Sequence, residues 1–392
     1  MKNDKDLSPI LKWAGGKEQE LKYILPNIPV HFSRFIEPFV GGGAVYFSIN
    51  KKDMYINDKS TELINLYNNV KYKNSEFITK LQNLQNSWCD LEVLLDKNIN
   101  FFNQVYFEYK SEKINKEGLF TKVNQFLNYN KDTIKKILKN DLTNIYNIFE
   151  QELFRNIVAK LVRMKELEAK KGDLSPKDIY DNFECALKGS FYMFIRYLYN
   201  KYDNSEYFYF IREYCYSSMF RYNSNGEFNV PYGGISYNRK NLQRKIDYMK
   251  SMALQEHFLN TQIYNLDFEE FLNKIKLKEN DFIFLDPPYD SDFSSYVNNS
   301  FDKQDQKRLA DYLINKCPAK FMLVIKNTKF ISELYSNKGL YINSFDKKYM
   351  VSFKGRNNRD CEHLIITNYQ LPTIENKISA LNIKSREQLQ YA

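Results

Sequence analysis

Phe282-Ile283-Phe284-Leu285-Asp286-Pro287-Pro288-Tyr289-Asp290 joins four consecutive apolar residues to an aspartate, two prolines and a tyrosine. The apolar run suits a buried strand. The prolines forbid that strand to continue, because neither has the N–H that a sheet ladder needs. A buried strand therefore delivers Asp286, two rigid prolines and an aromatic ring together at its carboxyl end.

Outward from this point the chain alternates between strands and helices. Downstream, D-K-Q-D-Q-K-R-L-A-D-Y-L-I reads as a helix with Asp302 as N-cap, and residues 320–325, 340–345 and 363–367 read as strands. Upstream, Ile263-Tyr264-Asn265-Leu266 is a strand ending at Asp267-Phe268. Nearer the N-terminus, R-F-I-E-P-F-V-G-G-G-A-V-Y-F-S from Arg34 reads as strand, glycine loop and helix. Met54-Tyr55-Ile56 is a second strand, ending at Asn57-Asp58. Behind it Ser60 caps a helix that carries Leu63, Ile64, Tyr67 and Val70. Such alternation argues for a parallel sheet. Residues 75–202 differ: apolar positions such as Ile134, Ile137, Leu138, Leu142 and Ile145 fall at helical spacing, and strands are few. The charged run K-E-L-E-A-K-K-G-D, followed by S-P-K-D, marks one helix end and the next start. The expectation is an α/β chain whose sheet is interrupted by a mainly helical module. The expected boundaries are 1–72 and 262–371 for the α/β domain, 73–261 for the helical insertion, and 372–392 for a polar tail.

Bulk properties narrow the function classes. The 392 residues, 43% hydrophobic, suffice for one large domain or two ordinary ones. The opening M-K-N-D-K-D-L-S-P has no apolar h-region and no later run reaches membrane-spanning length, so secretion and a membrane partner are not expected. Five scattered cysteines without a C-x-x-C pair, and three distant histidines, argue against zinc or a disulfide framework and for a cytoplasmic setting. The net charge of +9 is compatible with a polyanionic partner, and equally with solvated lysines.

Four constellations carry chemistry. Phe39-Val40-Gly41-Gly42-Gly43 follows a strand, where glycines let the backbone turn sharply and a ligand approach closely. It is not G-x-G-x-x-G with a distant acid, so a dinucleotide enzyme is disfavoured. Asp58, Asp267 and Asp286 each stand just past a strand, where an open parallel sheet lines its ligand crevice. One such aspartate alone is more often a helix N-cap; three beside a glycine turn suggest one pocket, and an acid after the second strand suits ribose hydroxyls. Leu11-Lys12-Trp13-Ala14-Gly15-Gly16-Lys17 is either a core anchor with a turn or a loop closing over an adenosine. Phe220-Arg221-Tyr222-Asn223 with Gly226-Glu227-Phe228-Asn229-Val230-Pro231-Tyr232-Gly233-Gly234 suits guanine reading by an arginine fork, or a hairpin over an aromatic cluster.

In these four places the chain closely resembles the Dam-type, α-group (D12 class) DNA adenine-N6 methyltransferases. K-W-A-G-G-K, E-P-F-V-G-G-G, F-R-Y-N-x-x-G-x-F-N-V-P-Y-G and D-P-P-Y occur in the family's order, over roughly residues 10–72 and 209–369. The helical middle is not covered by the resemblance. The resemblance implies a Rossmann-like S-adenosylmethionine-dependent methyltransferase sheet, with S-adenosylhomocysteine as product and no metal. It implies that Asp286 and the Pro287 carbonyl accept hydrogen bonds from the adenine amino group, that Pro288 stiffens the turn, and that Tyr289 stacks on the flipped base. Trp13, Lys17, Glu37, Phe39, Gly41, Gly43, Asp58, Asp267, Phe268 and Asp286 are the implied cofactor residues. Lys12, Arg221, Tyr222, Asn223, Asn229, Pro231, Tyr232 and Arg239 are the implied contacts to double-stranded DNA, at GATC or a site containing GAT. Two basic clusters, Arg239-Lys240-Arg244-Lys245 and Lys347-Lys348-Lys354-Arg356-Arg359, offer phosphate contacts or merely solvated faces. The implied setting is bacterial or phage-encoded, as an orphan enzyme or beside a cognate restriction endonuclease, the chain being a monomer or weak dimer. Alternatives are a cytosine-N4 methyltransferase, against which Asp286 and F-R-Y-N argue, and a catalytically silent DNA-binding regulator, against which the intact D-P-P-Y argues.

Overall fold

The computed structural model describes residues 7–13, 15–289, 301–348 and 360–371. Lys354, Arg356, Arg359 and the tail 372–392 lie outside the described residues, and Lys347 and Lys348 are described by backbone alone. The chain divides into two compact units, Met1–Lys71 with Ser251–Ala392, and Tyr72–Lys250.

The first unit begins with α1 (Leu21–Ile24), β1 (Phe35–Glu37) and β2 (Met54–Asn57), the two strands pairing in parallel. The helix expected after the glycines is only a 3-10 turn, Tyr46–Ser48. Ser48 Oγ donates to the Ala44 carbonyl at 2.8 Å, a local bond that competes with helix continuation, and Ile49 is already extended. α2 (Thr61–Lys71) starts where the sequence predicts: Ser60 Oγ accepts the Leu63 N–H, and Leu63, Ile64, Tyr67 and Val70 are all buried.

The second unit is helical: α3 (Ser75–Lys110), α4 (Lys116–Tyr129), α5 (Lys131–Ile137), α6 (Tyr146–Lys171), α7 (Pro176–Tyr202), α8 (Ser205–Tyr214) and α9 (Gln243–Met249). The charged run ends α6 at Gly172, whose φ is +89°, and Ser175 caps α7 with Pro176 in its first turn. Trp88 of α3 centres the core. Its ring lies 4.2 Å from Tyr214 and 5.7 Å from Phe210 between centroids. Aromatic pairs of this kind add about 0.5–1.5 kcal/mol each beyond the area they bury.

The first unit resumes with α10 (Met252–Leu259), β3 (Thr261–Tyr264), α11 (Phe268–Ile275), β4 (Phe282–Leu285) and α12 (Lys303–Asp311). It continues through β5 (Lys320–Lys326), α13 (Lys329–Tyr335), β6 (Tyr341–Lys348) and β7 (Asp360–Thr367). β3 lies two residues earlier than the expected Ile263–Leu266, and Asn57 marks its end. The Asn57 carboxamide accepts the Leu266 N–H at 2.9 Å and donates to the Leu266 carbonyl at 3.0 Å, taking the bonds a ladder would use.

The strands make one seven-stranded sheet in the order β3-β2-β1-β4-β5-β7-β6. β1 to β5 are parallel, and β7 runs antiparallel between β5 and β6. This is the Rossmann-like architecture expected. All four residues of β4 are buried, worth about 1.5–3 kcal/mol for each large side chain. Strand order reverses between β1 and β4, and a crevice opens outside the carboxyl ends at such a reversal. The glycine turn follows β1 and Asp286 follows β4.

Candidate active site

Glycine is required in the turn after β1 on two counts. Gly41 and Gly43 have φ of +48° and +74°, the left-handed region that L side chains avoid. A Cβ at Gly41 would stand 2.9 Å from Trp13 Cδ1, and one at Gly43 would stand 2.9 Å from Phe47 Cε2. Trp13, half-buried, therefore lies directly against the turn. Asp58, just past β2, braces it from the other side: one carboxylate oxygen accepts the Gly41 N–H and the other the Ser60 N–H, both at 2.9 Å. Burial raises the Asp58 carboxyl above its ordinary range, and these N–H groups oppose that shift. Tyr67 OH closes the clamp by donating to the Gly41 carbonyl at 2.7 Å.

Asp286, Pro287, Pro288 and Tyr289 leave β4 beside Lys17. The buried Lys17 ammonium is bonded to Asp286 Oδ2, donates to Tyr289 OH at 2.9 Å, and donates to the Gly15 carbonyl at 3.0 Å. A motif of the N-terminus and the motif after β4, 269 residues apart, thus meet in one cluster. His363 of β7 packs edge-on to the Tyr289 ring, 5.3 Å between centroids. Fully buried Gln306 of α12 donates its Nε2–H to the Pro288 carbonyl at 2.9 Å. Glu37, the last residue of β1, is 2% exposed, and its Oε2 has no hydrogen-bond partner among the described residues. Burial pushes the Glu37 carboxyl well above its ordinary range; Asp286 adds to the rise, while a backbone hydrogen bond and Lys17 oppose it.

A third group lines the end of β3. Phe39 and Phe268 rings lie 5.6 Å apart, and Phe301 packs edge-on to Phe39. Asp267 caps α11 by accepting the Glu269 N–H at 3.0 Å, and also takes a 2.7 Å bond from Arg308. The Arg308 guanidinium lies 4.9 Å over the Phe268 ring. Lys12 is exposed.

The expected DNA-reading residues other than Lys12 lie in the second unit, between α8 and α9. Tyr222 and Phe228 bridge an antiparallel hairpin. Asn223 Oδ1 closes its loop by accepting the N–H groups of Asn225 and Glu227 at 3.0 and 2.9 Å. Behind it Phe220, Tyr222 and Phe228 form an aromatic cluster, and Arg212 stacks 4.2 Å over Phe220. Arg221 Nε donates to Asn229 Oδ1 at 2.8 Å and Nη2 to the Asn229 carbonyl at 3.3 Å; no bond is recorded for Nη1 among the described residues. Pro231 and Arg239 are exposed, whereas half-buried Tyr232 packs on Trp88 and donates to Asn238 at 3.0 Å.

Sequence reasoning missed the parts played by Asn57, Tyr67, Gln306 and Arg308, all of which hold the site together through between one and three side-chain bonds. Gln306 alone left a trace, a polar residue on the apolar face that Leu309, Ala310 and Leu313 define. Among the described residues there is no group of His, Cys, Asp and Glu that could hold a metal, and no helix long and apolar enough to cross a membrane.

Comparison with known proteins gives a consistent picture. The model of the D12 class N6 adenine-specific DNA methyltransferases matches residues 13–133 and 124–352. The chain is similar to the type II methyltransferase M.CviBI of Paramecium bursaria Chlorella virus NC1A, at 26% identity over 93% of this chain and 100% of the relative. Type II methyltransferase M.MjaIII of Methanocaldococcus jannaschii is also 26% identical, over the same two shares. A DNA N-6-adenine-methyltransferase of Escherichia phage P1 is 24% identical over 88% of this chain and 33% of that one.

Proposed function

The chain belongs to the D12 class N6 adenine-specific DNA methyltransferases, and from that premise we propose that S-adenosylmethionine is its methyl donor and GATC, or a site containing GAT, its target. The observation that carries this reading is the cluster of Lys17, Asp286 and Tyr289 beside Glu37, at the reversal of strand order.

The residues present fit the donor. Glu37 offers a buried carboxyl oxygen with no described protein partner to a cationic ligand group, and the Gly41–Gly43 turn is one that no Cβ can enter. Trp13, Phe39, Asp58, Asp267 and Phe268 surround the same strand ends and are assigned to the adenosine. Bound there, S-adenosylmethionine supplies a methyl group activated by its sulfonium centre.

The chain's own residues prepare the adenine. The 6-amino lone pair is delocalised into the ring and is a poor nucleophile. Asp286, acceptor-only when ionised, accepts a hydrogen bond from one amino N–H and the Pro287 carbonyl accepts one from the other, which favours a pyramidal nitrogen with a localised lone pair. Two prolines fix that pair of acceptors in advance, so no reorganisation is needed at the moment of reaction. Lys17 ties Asp286 to Tyr289, which stacks on the extruded base. The Asp286 carboxylate then accepts the proton that the methylated nitrogen loses. Arg221, with Nε committed to Asn229, turns its remaining donors to guanine. Lys12, Tyr222, Asn223, Pro231, Tyr232 and Arg239 add contacts to the duplex, and the type II relatives point to a cognate endonuclease as partner.

The test is transfer of a labelled methyl group from S-adenosylmethionine to duplex DNA, followed by nucleoside analysis and mapping of the modified sites. N6-methyladenine at GATC, reduced about 100-fold or more in Asp286→Ala, is the expected outcome. Transfer to cytosine, or equal activity in the variant, overturns the assignment.

A further inference from the structure

α7 carries Lys188, Tyr192, Arg196 and Asn200 at intervals of four, a single oblique ridge along the helix. Each reaches the backbone of the segment that follows α8. The Asn200 carboxamide accepts the Phe228 N–H at 2.8 Å and donates to the Phe228 carbonyl at 3.1 Å, as a neighbouring strand would. Tyr192 OH and Arg196 Nη1 both donate to the Val230 carbonyl, at 2.8 and 3.2 Å. Lys188, 1% exposed and paired with Glu184, donates to the Asn238 carbonyl at 2.8 Å. Residues 228, 230 and 238 meet residues 200, 196 with 192, and 188 in that order, so the segment runs antiparallel to the helix.

The gripped residues flank one position. Asn229 stands between Phe228 and Val230, and it is Asn229 that holds the Arg221 guanidinium by Nε and Nη2. This irregular backbone has few ladder partners of its own, so its direction is set by the side chains that bind its carbonyls. We propose that the α7 ridge is the template of target choice: Asn200, Tyr192 and Arg196 are positioning residues that fix Asn229, and through it the donor fork that Arg221 presents to a base. This rests on the reading of the 221–232 segment as the part that reads DNA. It gives the helical insertion a role in specificity that requires no contact between α7 and the duplex.

The experiment measures kcat/KM with S-adenosylmethionine on a duplex carrying the mapped target and on duplexes with one base changed, using the full chain. Asn200 is exposed, so Asn200→Ala leaves the core intact. Its ratio of cognate to single-mismatch kcat/KM is expected to fall about tenfold at the base read through Arg221, the scale of one bidentate base contact. Cofactor affinity stays as in wild type. Asn200→Asp, which keeps the acceptor for the Phe228 N–H and loses the donor, falls between, and Tyr192→Phe loses less because Arg196 still holds Val230. The ratio does not depend on the fraction of folded enzyme, so a merely structural role would slow every substrate alike. Such uniform slowing, or an unchanged ratio in all three α7 variants while Arg221→Ala relaxes target choice, overturns the proposal. An unchanged ratio in Arg221→Ala as well overturns the reading of the segment as the DNA reader, and the proposal with it.

Discussion

The turn after β4 and the hairpin between α8 and α9 are both short and irregular, and they are held by different means. The turn is stiff by its own composition, two prolines behind a fully buried strand, and needs Lys17 and Gln306 only to orient its two ends. The hairpin has no such internal stiffness. Its Gly226 is left-handed, and Phe228 and Val230 are gripped from a helix 28 to 38 residues earlier in the chain. On the proposed function, reaction geometry is written into a local peptide, and recognition geometry into distant side chains that bind main-chain atoms. Substitutions on the first side should alter rate or cofactor binding without altering site choice, and those on the second side the reverse.

The largest separation is expected at Gly41. Gly41→Ala forces a Cβ to within 2.9 Å of Trp13 Cδ1 at a φ of +48°. Backbone strain of about 1–3 kcal/mol alone corresponds to an about 5- to 150-fold loss of cofactor affinity, with the mapped target sequence unchanged. Isothermal titration with the cofactor and sequencing of methylated sites check the two halves separately; a shifted target sequence would break the comparison. Gln306→Ala should act more narrowly. Losing the bond to the Pro288 carbonyl lets the turn drift, and single-turnover methyl transfer is expected to slow about tenfold while cofactor and DNA affinities hold. Gln306→Glu sharpens the point, because only the protonated carboxyl can donate to that carbonyl, so its rate relative to wild type should recover as pH falls.

The smallest effect is thermodynamic. Glu37 has a raised pKa in the folded protein, so the native state keeps a proton that the unfolded chain releases above its ordinary value near 4.5. The stability tied to that proton is complete below this value and is lost as pH rises toward the folded pKa. Wild-type Tm is therefore expected to decline from pH 5 to 8 more steeply than that of Glu37→Gln in scanning calorimetry. Parallel profiles would remove Glu37 as a neutral buried acid in the free enzyme.

Much of the sheet was legible because its signals are local. Phe282–Leu285 ends at prolines, Asp302 caps its helix with Asp305 in a reciprocal box, and Ser60 caps α2. The site residues were legible where spacing and motif carried them, as at Asp58 and Asp286. Asn57 and Ser48 marked the failures: one side chain ends β3 two residues before the expected Leu266, and one hydroxyl accompanied the end of an expected helix, each by a bond that no periodicity reports. The α7 ridge escaped for the same reason. Lys188, Tyr192, Arg196 and Asn200 share an interval of four, but their partners are main-chain atoms of a segment without regular structure.

The pairing of β1 also sets an order of events on the ribosome. Phe35 is bonded in the sheet beside both Met54 and Phe282, so one neighbour arrives at once and the other 247 positions later. The 179 residues of the helical unit (250 − 72 + 1) take about 10–35 s to emerge at about 5–20 residues per second. At the end of that interval the helical unit has its whole chain and is able to close its core, while the β1–β2 pair has waited throughout with both edges unfilled. Open strand edges recruit other strands. In a crowded polysome, the nascent N-terminus is therefore open to pairing with strands of other chains for that whole time.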